Sequence, residues 1–357
     1  MKTISLILLA FLAVCGNGVY AQNLIAVLDN NSNTFYTNLD SAIAHANNGD
    51  YIYVPGGFFN LNNPISKEVH IIGTGHYPDS TQATSFTQIN SPLYMITGSD
   101  NSTIEGLVCA GGLFFGTNQS NQVVNNFLIS RSRITNISLA QTSPTTSSNI
   151  LIKECIFGSI DGGDAQSVLI SNNIIQGSLN NFINNTTFNN NVFLFNYSTS
   201  QSCNSTYGYY YFWFTSYCHY NNNIFYNANN SQYYDLNLWG CPSVDNYFNN
   251  NVFTTTRLND DGIFEINNIY GVSQSLLFLS NSGSGIFNYL DNYHLVNGSP
   301  AIGAGIGGTD CGIYGGLYPW KAGSVPVNPH VQYKTISGST NTNGDLPVNI
   351  QVGAQDR

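Results

Sequence analysis

Five charged residues in the middle of the chain are the best candidates for chemistry: Arg131, Lys153, Glu154, Asp161 and Asp164. When the repeats described below are aligned, Arg131 and Lys153 take equivalent outward positions, so we expect them about 4.8 Å apart. Two cations beside carboxylates can bind an anionic ligand or transfer a proton. The sequence therefore predicts a catalytic group here. The alternative is a solvated cluster of salt bridges.

An aromatic insert offers a second candidate surface. Residues 207–220 read YGYYYFWFTSYCHY, and two more aromatic residues of interest follow at 233 and 239. Tyr and Trp present flat apolar faces with a polar rim, which suits the C–H faces of sugars. The alternative is a hairpin packed on the wall of the fold. The predicted ligand-binding residues are Tyr209, Tyr211, Trp213, Tyr233 and Trp239.

The element that must position these residues is a repeat. A short phrase, in which an Asn pair or a variant of it precedes two apolar residues, recurs between residues 128 and 253. Aligned on the first apolar residue, the copies are separated by steps of 22, 18, 18, 32 and 28 residues. Variable steps around a constant phrase are typical of a solenoid with loops of different length. The aligned residues are Ile134, Ile156, Ile174, Val192, Ile224 and Val252.

The phrase alternates apolar and polar residues, and no helical window separates the copies. Each coil should therefore consist of strands and turns. Asn precedes the aligned residue in four coils, while Cys155 and Arg133 occupy that position in two others. Stacked Asn amides can hydrogen-bond to one another, and Asn tolerates the left-handed backbone of a tight bend. We expect Asn173, Asn191, Asn223 and Asn251 to form one column.

The N-terminus has the features of a secretory signal peptide. Lys2 is followed by the apolar run Ile4–Val14, and Val19-Tyr20-Ala21 forms a small-residue cleavage site. We place cleavage after Ala21, so that the protein is secreted or lies at the cell surface. Lipidation at Cys15 is an alternative, although the Val directly before it fits poorly. No later segment is long and apolar enough to cross a bilayer.

Both ends of the repeat resemble the right-handed parallel β-helices of the pectate-lyase-like superfold. An amphipathic helix in Asn38–Gly49 precedes Val54-Pro55-Gly56-Gly57, and NGSPAIGAGIGGTDCGIYGG at 297–316 is similar to the closing segment of many secreted bacterial β-helix proteins. The resemblance covers roughly residues 38–320. It implies an all-β fold, namely a right-handed, single-stranded parallel β-helix in which the N-terminal helix caps the open end of the solenoid.

The chain thus divides into a signal peptide (1–21), a β-helix domain (22–320) and a tail (321–357). The tail contains two strand-like runs, Val331–Ile336 and Leu346–Ala354. They should form a hairpin packed on the last coils, or else the start of a truncated module. The segment 102–109 reads as an early coil, with Gly106 before the aligned residue Leu107.

The amino-acid composition limits the classes of partner that we expect. Only 8% of the residues are charged and the formal net charge is −10, so the chain has no basic stripe for nucleic acid. The acidic balance also disfavours a strongly anionic polymer unless cations bridge the two. We expect no cofactor and no metal. Ca²⁺ stays an alternative without support, because it would need several carboxylates on neighbouring coils.

Cysteine positions suggest one structural thiol and one bridge. Cys155 should be a buried free thiol, because it lies in a core strand. Cys203, Cys218 and Cys241 crowd the aromatic insert, where one disulfide is plausible in an exported protein.

Three functions remain open on this sequence. Galacturonan hydrolases of the superfold that the chain resembles carry a Gly-His-Gly and an Arg-Ile-Lys motif, and neither occurs here. We therefore expect, first, a secreted β-helix that binds a polysaccharide or another extracellular surface without clear catalytic motifs. The second hypothesis is a polysaccharide lyase or glycoside hydrolase of an unrecognised type. The third is a structural or adhesive surface protein.

Overall fold

The chain is mostly β-structure wound into stacked coils. The computed structural model describes residues 24–29, 32–117, 120, 122–139, 146–195, 212–213, 215–228, 236–237, 245–256, 258–259 and 263–355. Each coil contributes one strand to a first sheet and then, after a tight corner, one or two strands to a second sheet. Successive coils pair in parallel in both sheets, so the predicted parallel β-helix is confirmed.

The first sheet is parallel apart from its first two strands, which pair antiparallel. In spatial order its strands are Asn33–Tyr36, Ile25–Leu28, Asp50–Tyr53, Val69–Ile72, Thr103–Glu105, Phe127–Ser130, Ser148–Lys153, Gln166–Ser171, Thr187–Asn189, His219–Asn221, Asn246–Asn249 and Ile263–Ile266.

The second sheet is a parallel path with side branches. The path comprises Val252–Phe253, Ile224–Asn227, Val192–Phe195, Ile174–Ile175, Ile156–Asp161, Arg133–Ser138, Val108–Cys109, Thr87–Ile89 and Gly57–Phe59. The branches are Leu93–Met95, Leu113–Phe115, Leu179–Asn180 and Phe212–Trp213.

Three small strand pairs and a few short helices complete the described chain. The strand pairs are Leu236–Asn237 with Leu258–Asn259, Phe278–Ser280 with Asn292–Leu295, and His330–Ile336 with Val348–Gly353. Short 3₁₀ helices lie at Asp79–Thr81, Gln274–Leu276, Ile306–Gly308 and Ala322–Ser324.

An α-helix, Leu39–His45, lies near the start of the solenoid. The side chain of Asn38 caps it by accepting a hydrogen bond from the Ser41 amide at 3.0 Å. Leu39, Ala42 and Ile43 are buried and belong to the same apolar cluster as the interior of the coils. The amphipathic face that the sequence predicted is therefore the face that packs on the core.

The predicted asparagine column is confirmed. Each ladder Asn accepts a hydrogen bond from the backbone of the coil before it, as in Asn173 N to Asn191 Oδ1 at 2.9 Å and Asn191 N to Asn223 Oδ1 at 2.8 Å. The column continues through Asn251 to Asn268. These amides are buried, so every bond replaces one that water would otherwise make.

The predicted register is wrong by one residue in two early coils. Ile156 pairs with Arg133, and Arg133 pairs with Val108. The ladder positions are therefore Ser132 and Leu107, not Arg133 and Gly106; the Ser132 hydroxyl accepts the Leu107 amide at 3.2 Å. Neither coil has Asn in the ladder, so the apolar residues alone did not fix the alignment.

The left-handed residue of each corner is the one before the ladder Asn. Asn172, Asn190, Asn222 and Asn250 have φ angles of 54–58°. The two properties expected of one Asn are thus divided between neighbours: the first makes the bend and the second makes the ladder.

The aligned apolar residues lie on the outer face of the second sheet, whereas their neighbours fill the interior. Phe193, Phe225 and Phe253 stack inside the coils, with ring centroids 4.5–4.6 Å apart. Ile174, Val192, Ile224 and Val252 belong to a separate buried cluster. The chain from Val272 to Trp320 returns over this face and covers it.

The described cysteines are unpaired. Cys109, Cys155, Cys218 and Cys311 are free and buried, which confirms the free thiol at Cys155. A bridge from Cys218 is ruled out by its free state, whereas Cys203 and Cys241 lie outside the described residues.

The hairpin of the tail forms as predicted, but in another place. Its strand His330–Ile336 contacts the 3₁₀ helix Asp79–Thr81 near the start of the solenoid, whereas the sequence prediction placed the hairpin on the last coils. Within the described residues, no helix has the length and apolar character needed to span a bilayer. The predicted signal peptide lies outside the described residues.

Candidate functional site

The corner between the two sheets carries a segment of the returning chain. Residues 304–327, here called the strap, run along the left-handed corner residues. Asn172 Nδ2 donates to the carbonyls of Ile313 and Gly315 at 2.9 and 2.7 Å. Asn190 Nδ2 donates to Asp310 O at 2.9 Å. The corner side chains therefore hold the strap by its backbone.

Two charged residues take the same corner positions further along. Arg131 and Glu154 have φ angles of 47° and 53°, like the corner asparagines. Arg131 Nη1 donates to Val325 O in the strap at 3.0 Å, and Ser324 Oγ donates to Glu154 O at 3.3 Å. Arg131 thus hydrogen-bonds to a backbone carbonyl of the strap, as an Asn amide does in the later coils.

Arg131 and Glu154 form a buried ion pair. The distance from Arg131 Nε to Glu154 Oε2 is 3.1 Å, and the Arg131 side chain is only 1% exposed. A second carboxylate, Glu105, lies 3.8 Å from Arg131 Nη1. The guanidinium of Arg131 is thus held by two carboxylates and a strap carbonyl, and Arg131 also lines the cleft described below.

The predicted stack of Arg131 on Lys153 is wrong. Lys153 pairs with Ser130, and Arg131 is equivalent to Glu154. The alignment slipped by one residue because these coils lack the asparagine corner. The consequence is large, since alternate residues of a strand point to opposite sides. Lys153 lies on the outer face, whereas Arg131 turns into the corner.

The other predicted carboxylates lie on a different wall. Asp161 pairs with Ser138 and Asn180 on the second sheet, and Asp164 follows in the turn. The Asp161 carboxylate accepts the Gly163 amide and an amide N–H of Asn181, both at 3.0 Å, and burial raises its pKa. The structure therefore brings together Arg131, Glu154 and Lys153 of the predicted group of five, and places Asp161 on the second sheet with Asp164 in the turn after it.

A cleft of about 270 Å³ opens on the outer face of the first sheet. Two rows of side chains form its floor. One row pairs Tyr51, His70 and Thr103 in register, and the other pairs Glu105, Ser130 and Lys153. Val327 of the strap forms part of the rim. The cleft is thus built from five successive strands of the first sheet and the returning chain.

Aromatic and charged groups face each other in this cleft. The rings of Tyr51 and His70 have centroids 4.6 Å apart, and Tyr51 is 42% exposed. Lys153 Nζ lies 4.8 Å from the ring centroid of Tyr318 and 3.8 Å from Glu154 Oε1. The cleft therefore offers a ring surface with a cation and hydroxyl groups beside it.

Two groups in the cleft have shifted proton affinities. Burial raises the pKa of the Glu105 carboxyl, although the Val327 amide, which Glu105 accepts at 3.0 Å, and the Arg131 charge partly offset this. Burial lowers the pKa of His70, and the Glu68 carboxylate partly offsets it. At neutral pH the cleft thus holds a neutral imidazole and a carboxyl that keeps its proton more readily than a surface Glu.

The sequence missed Tyr51, His70, Glu105 and Ser130. The repeat alignment did not reach Tyr51 and His70, and it placed the coils of Glu105 and Ser130 one residue out of register. A correct register from Lys153 back through Ser130 would have found Glu105, because the three pair in sequence.

Four of the five predicted aromatic ligand-binding residues belong to segments that the structure does not describe. Tyr209, Tyr211, Tyr233 and Trp239 lie outside the described residues. Trp213 is described only as part of the strand Phe212–Trp213, where it pairs with Asn180. Among the residues that the structure describes, no group of three or more His, Cys, Asp or Glu side chains could hold a metal ion.

The chain is similar in fold to a solved structure. The chain matches the crystal structure of the pectate lyase Pel9A with 14% sequence identity, over 77% of this chain and 90% of that chain, at a TM-score of 0.40. No family model matches, and no curated protein does. The strand pairing of the chain itself shows that it is a parallel β-helix.

Proposed function

We propose that this protein is an extracellular β-helix that binds a polysaccharide in the cleft on the first sheet. The observation that carries the proposal is that a ring surface, the exposed Tyr51 packed against the half-buried His70, lies beside the polar row of Glu105, Ser130 and Lys153. Sugars have apolar C–H faces and hydroxyl rims, so they need rings and hydrogen-bonding groups together.

The surface around the cleft supports the same conclusion. The outer face of the second sheet is covered from Ile156 to Val252 by the chain from Val272 to Trp320, so this part is closed to a ligand. The first sheet instead keeps its outward side chains partly exposed. Exposed rings beside half-buried leucines on a repeated wall are typical of a binding surface.

Binding to a panel of soluble polysaccharides, both neutral and acidic, tests the proposal. Affinity electrophoresis of the native chain should show retardation by at least one of them. Tyr51→Ala and Lys153→Ala should weaken that retardation at least five-fold. The matched controls are Phe58→Ala, an exposed ring on the other sheet, and Lys334→Ala in the tail hairpin. Unchanged retardation in both cleft variants would reject the cleft as the site.

Catalysis is the second candidate, because Glu105, which is only 7% exposed, lines the cleft and has a raised pKa. A general acid needs such a carboxyl. Incubation with the polysaccharides that bind should then release reducing or unsaturated ends, and Glu105→Gln should abolish that release while binding persists. Binding without any release supports a purely binding protein.

A further inference from the structure

The far end of the first sheet carries a second row of rings. His219, Tyr247 and Phe264 pair in register on three successive strands. Neighbouring ring centroids are 4.8 Å apart in both pairs, with planes within 14° of parallel. Phe264 is 49% exposed, and no ring stacks on its outer side within the described chain.

A row of amides runs beside these rings. The amides belong to Asn189, Asn221 and Asn249, which pair in register. Asn221 and Asn249 lie two residues after His219 and Tyr247, and Asn189 lies on the neighbouring strand. Asn249 Nδ2 donates to Asn221 Oδ1 at 3.1 Å, and Asn189 Oδ1 accepts from Asn222 at 3.0 Å. Within the described residues, the amide nitrogens of Asn189 and Asn221 have no protein acceptor. They are half-buried donors on the outer face.

Rings and amides are thus arranged for one kind of ligand. Alternate residues of a strand point to the same side, so the two rows lie about 7 Å apart and repeat about every 4.8 Å along the solenoid. Ring surface with amide donors alongside it matches the C–H faces and hydroxyl oxygens of a sugar chain. The six residues include no carboxylate and no Lys or Arg, which favours a neutral chain.

The ring row and the cleft are joined by a continuous stripe. From Thr103 in the cleft, the same register position holds Leu128, Leu151, Leu169 and Thr187 before it reaches His219. All are half-buried on the outer face. From His70 to Tyr247 there are seven strand steps, a span of roughly 34 Å.

We propose that the ring-and-amide patch, formed by His219, Tyr247, Phe264, Asn189, Asn221 and Asn249, is a second contact surface for the polysaccharide bound in the cleft. The ligand is then a linear, largely neutral polymer that lies along the solenoid axis. This inference rests on the proposed function of the cleft. Two linked contacts strengthen binding only for a chain long enough to reach both.

The experiment compares chain lengths on variants of each surface. The first probe is the polysaccharide of the panel that retards the native chain most. The second is a tetrasaccharide cut from it, which is too short to reach from the cleft to the ring-and-amide patch. Phe264→Ala and Asn221→Ala should each weaken binding of the polysaccharide at least five-fold in titration calorimetry and leave tetrasaccharide affinity unchanged. Tyr51→Ala should weaken both. Phe58→Ala is the control for loss of an exposed ring.

The outcomes separate the two proposals. Native affinity for the polysaccharide in both patch variants, with unchanged circular dichroism, would overturn the patch while the cleft stands. Equal affinity of the native chain for the tetrasaccharide and the polymer would also overturn it. If no polysaccharide binds the native chain, the proposed function falls, and the patch falls with it.

Discussion

Arg131 and Glu154 take the same place in successive coils, and their side chains form an ion pair of 3.1 Å inside the protein. In later coils this place belongs to an asparagine whose amide bonds the strap. The pair therefore substitutes a charged link for a neutral one. It fixes the strap next to the cleft, where Val327 meets Glu105.

Loss of one partner of this pair should be costly. Arg131→Ala leaves the buried Glu154 with only the more distant cation Lys153, at 3.8 Å in the described structure, and the free energy of unfolding should fall by about 3–5 kcal/mol. Urea denaturation measures the change. The double variant Arg131→Asn/Glu154→Asn, which copies the later coils, should recover at least half of the loss. Arg133→Ala, an exposed cation beside Tyr289, serves as the control and should cost less than about 1 kcal/mol.

The asparagine ladder should be equally sensitive to a loss of its amides. Asn191→Leu removes the acceptor of the Asn173 amide and the donor to Ile170 O at 2.9 Å. Each lost bond leaves a buried backbone group unpaired, so we expect a decrease of about 1–3 kcal/mol in unfolding free energy. Asn33→Leu, on an exposed edge strand, is the comparison. Equal midpoints for the two variants would contradict a structural ladder.

His76 should make stability depend on pH. It is buried, its Nε2 has no partner in the described part of the chain, and burial lowers its pKa to about 3. The unfolded chain takes up this proton near pH 6.5, so the stabilisation is present above that pH and is lost as the pH falls toward 3.

Below pH 6.5 the contribution of His76 to the free energy of unfolding should fall by about 1.4 kcal/mol per pH unit. The variant His76→Phe has no group that takes up this proton. Its free energy of unfolding, relative to that of the native chain, should therefore rise by about 2 kcal/mol when the pH is lowered from 6.5 to 5.0. Chemical denaturation at both pH values gives the two differences. A difference that is independent of pH would mean that His76 binds its proton equally well in the folded and the unfolded protein.

The strap should loosen when its amide contacts are removed. Asn172→Ala deletes the bonds to Ile313 and Gly315, so backbone amides of residues 311–320 should exchange hydrogen faster than in the native chain. Asn149→Ala is the matched control, because Asn149 is also left-handed but exposed and bonds only to Asn126 in the described structure. Equal exchange in both variants would argue against the amide contacts as the hold on the strap.

The sequence predicted the coils and the ladder because the Asn phrase carries the register within itself. The predicted register is wrong at Leu107 and Ser132, because the ladder residue there is apolar or carries a hydroxyl and the Asn phrase is missing. The burial of Arg131 could not be read locally, since it depends on Val325, 194 residues away. The aromatic insert around Trp213 stays a prediction.

The strap also changes how the solenoid should respond to stress. Stacked repeats usually unfold coil by coil, since each touches only its neighbours. Here Val327 bonds Glu105 across 222 residues, while Asn172, Asn190 and Asn250 bind the same strap. A coil that frays would have to release a chain that the others still hold. Pulling on the two ends should then give one large force peak instead of a series of small ones.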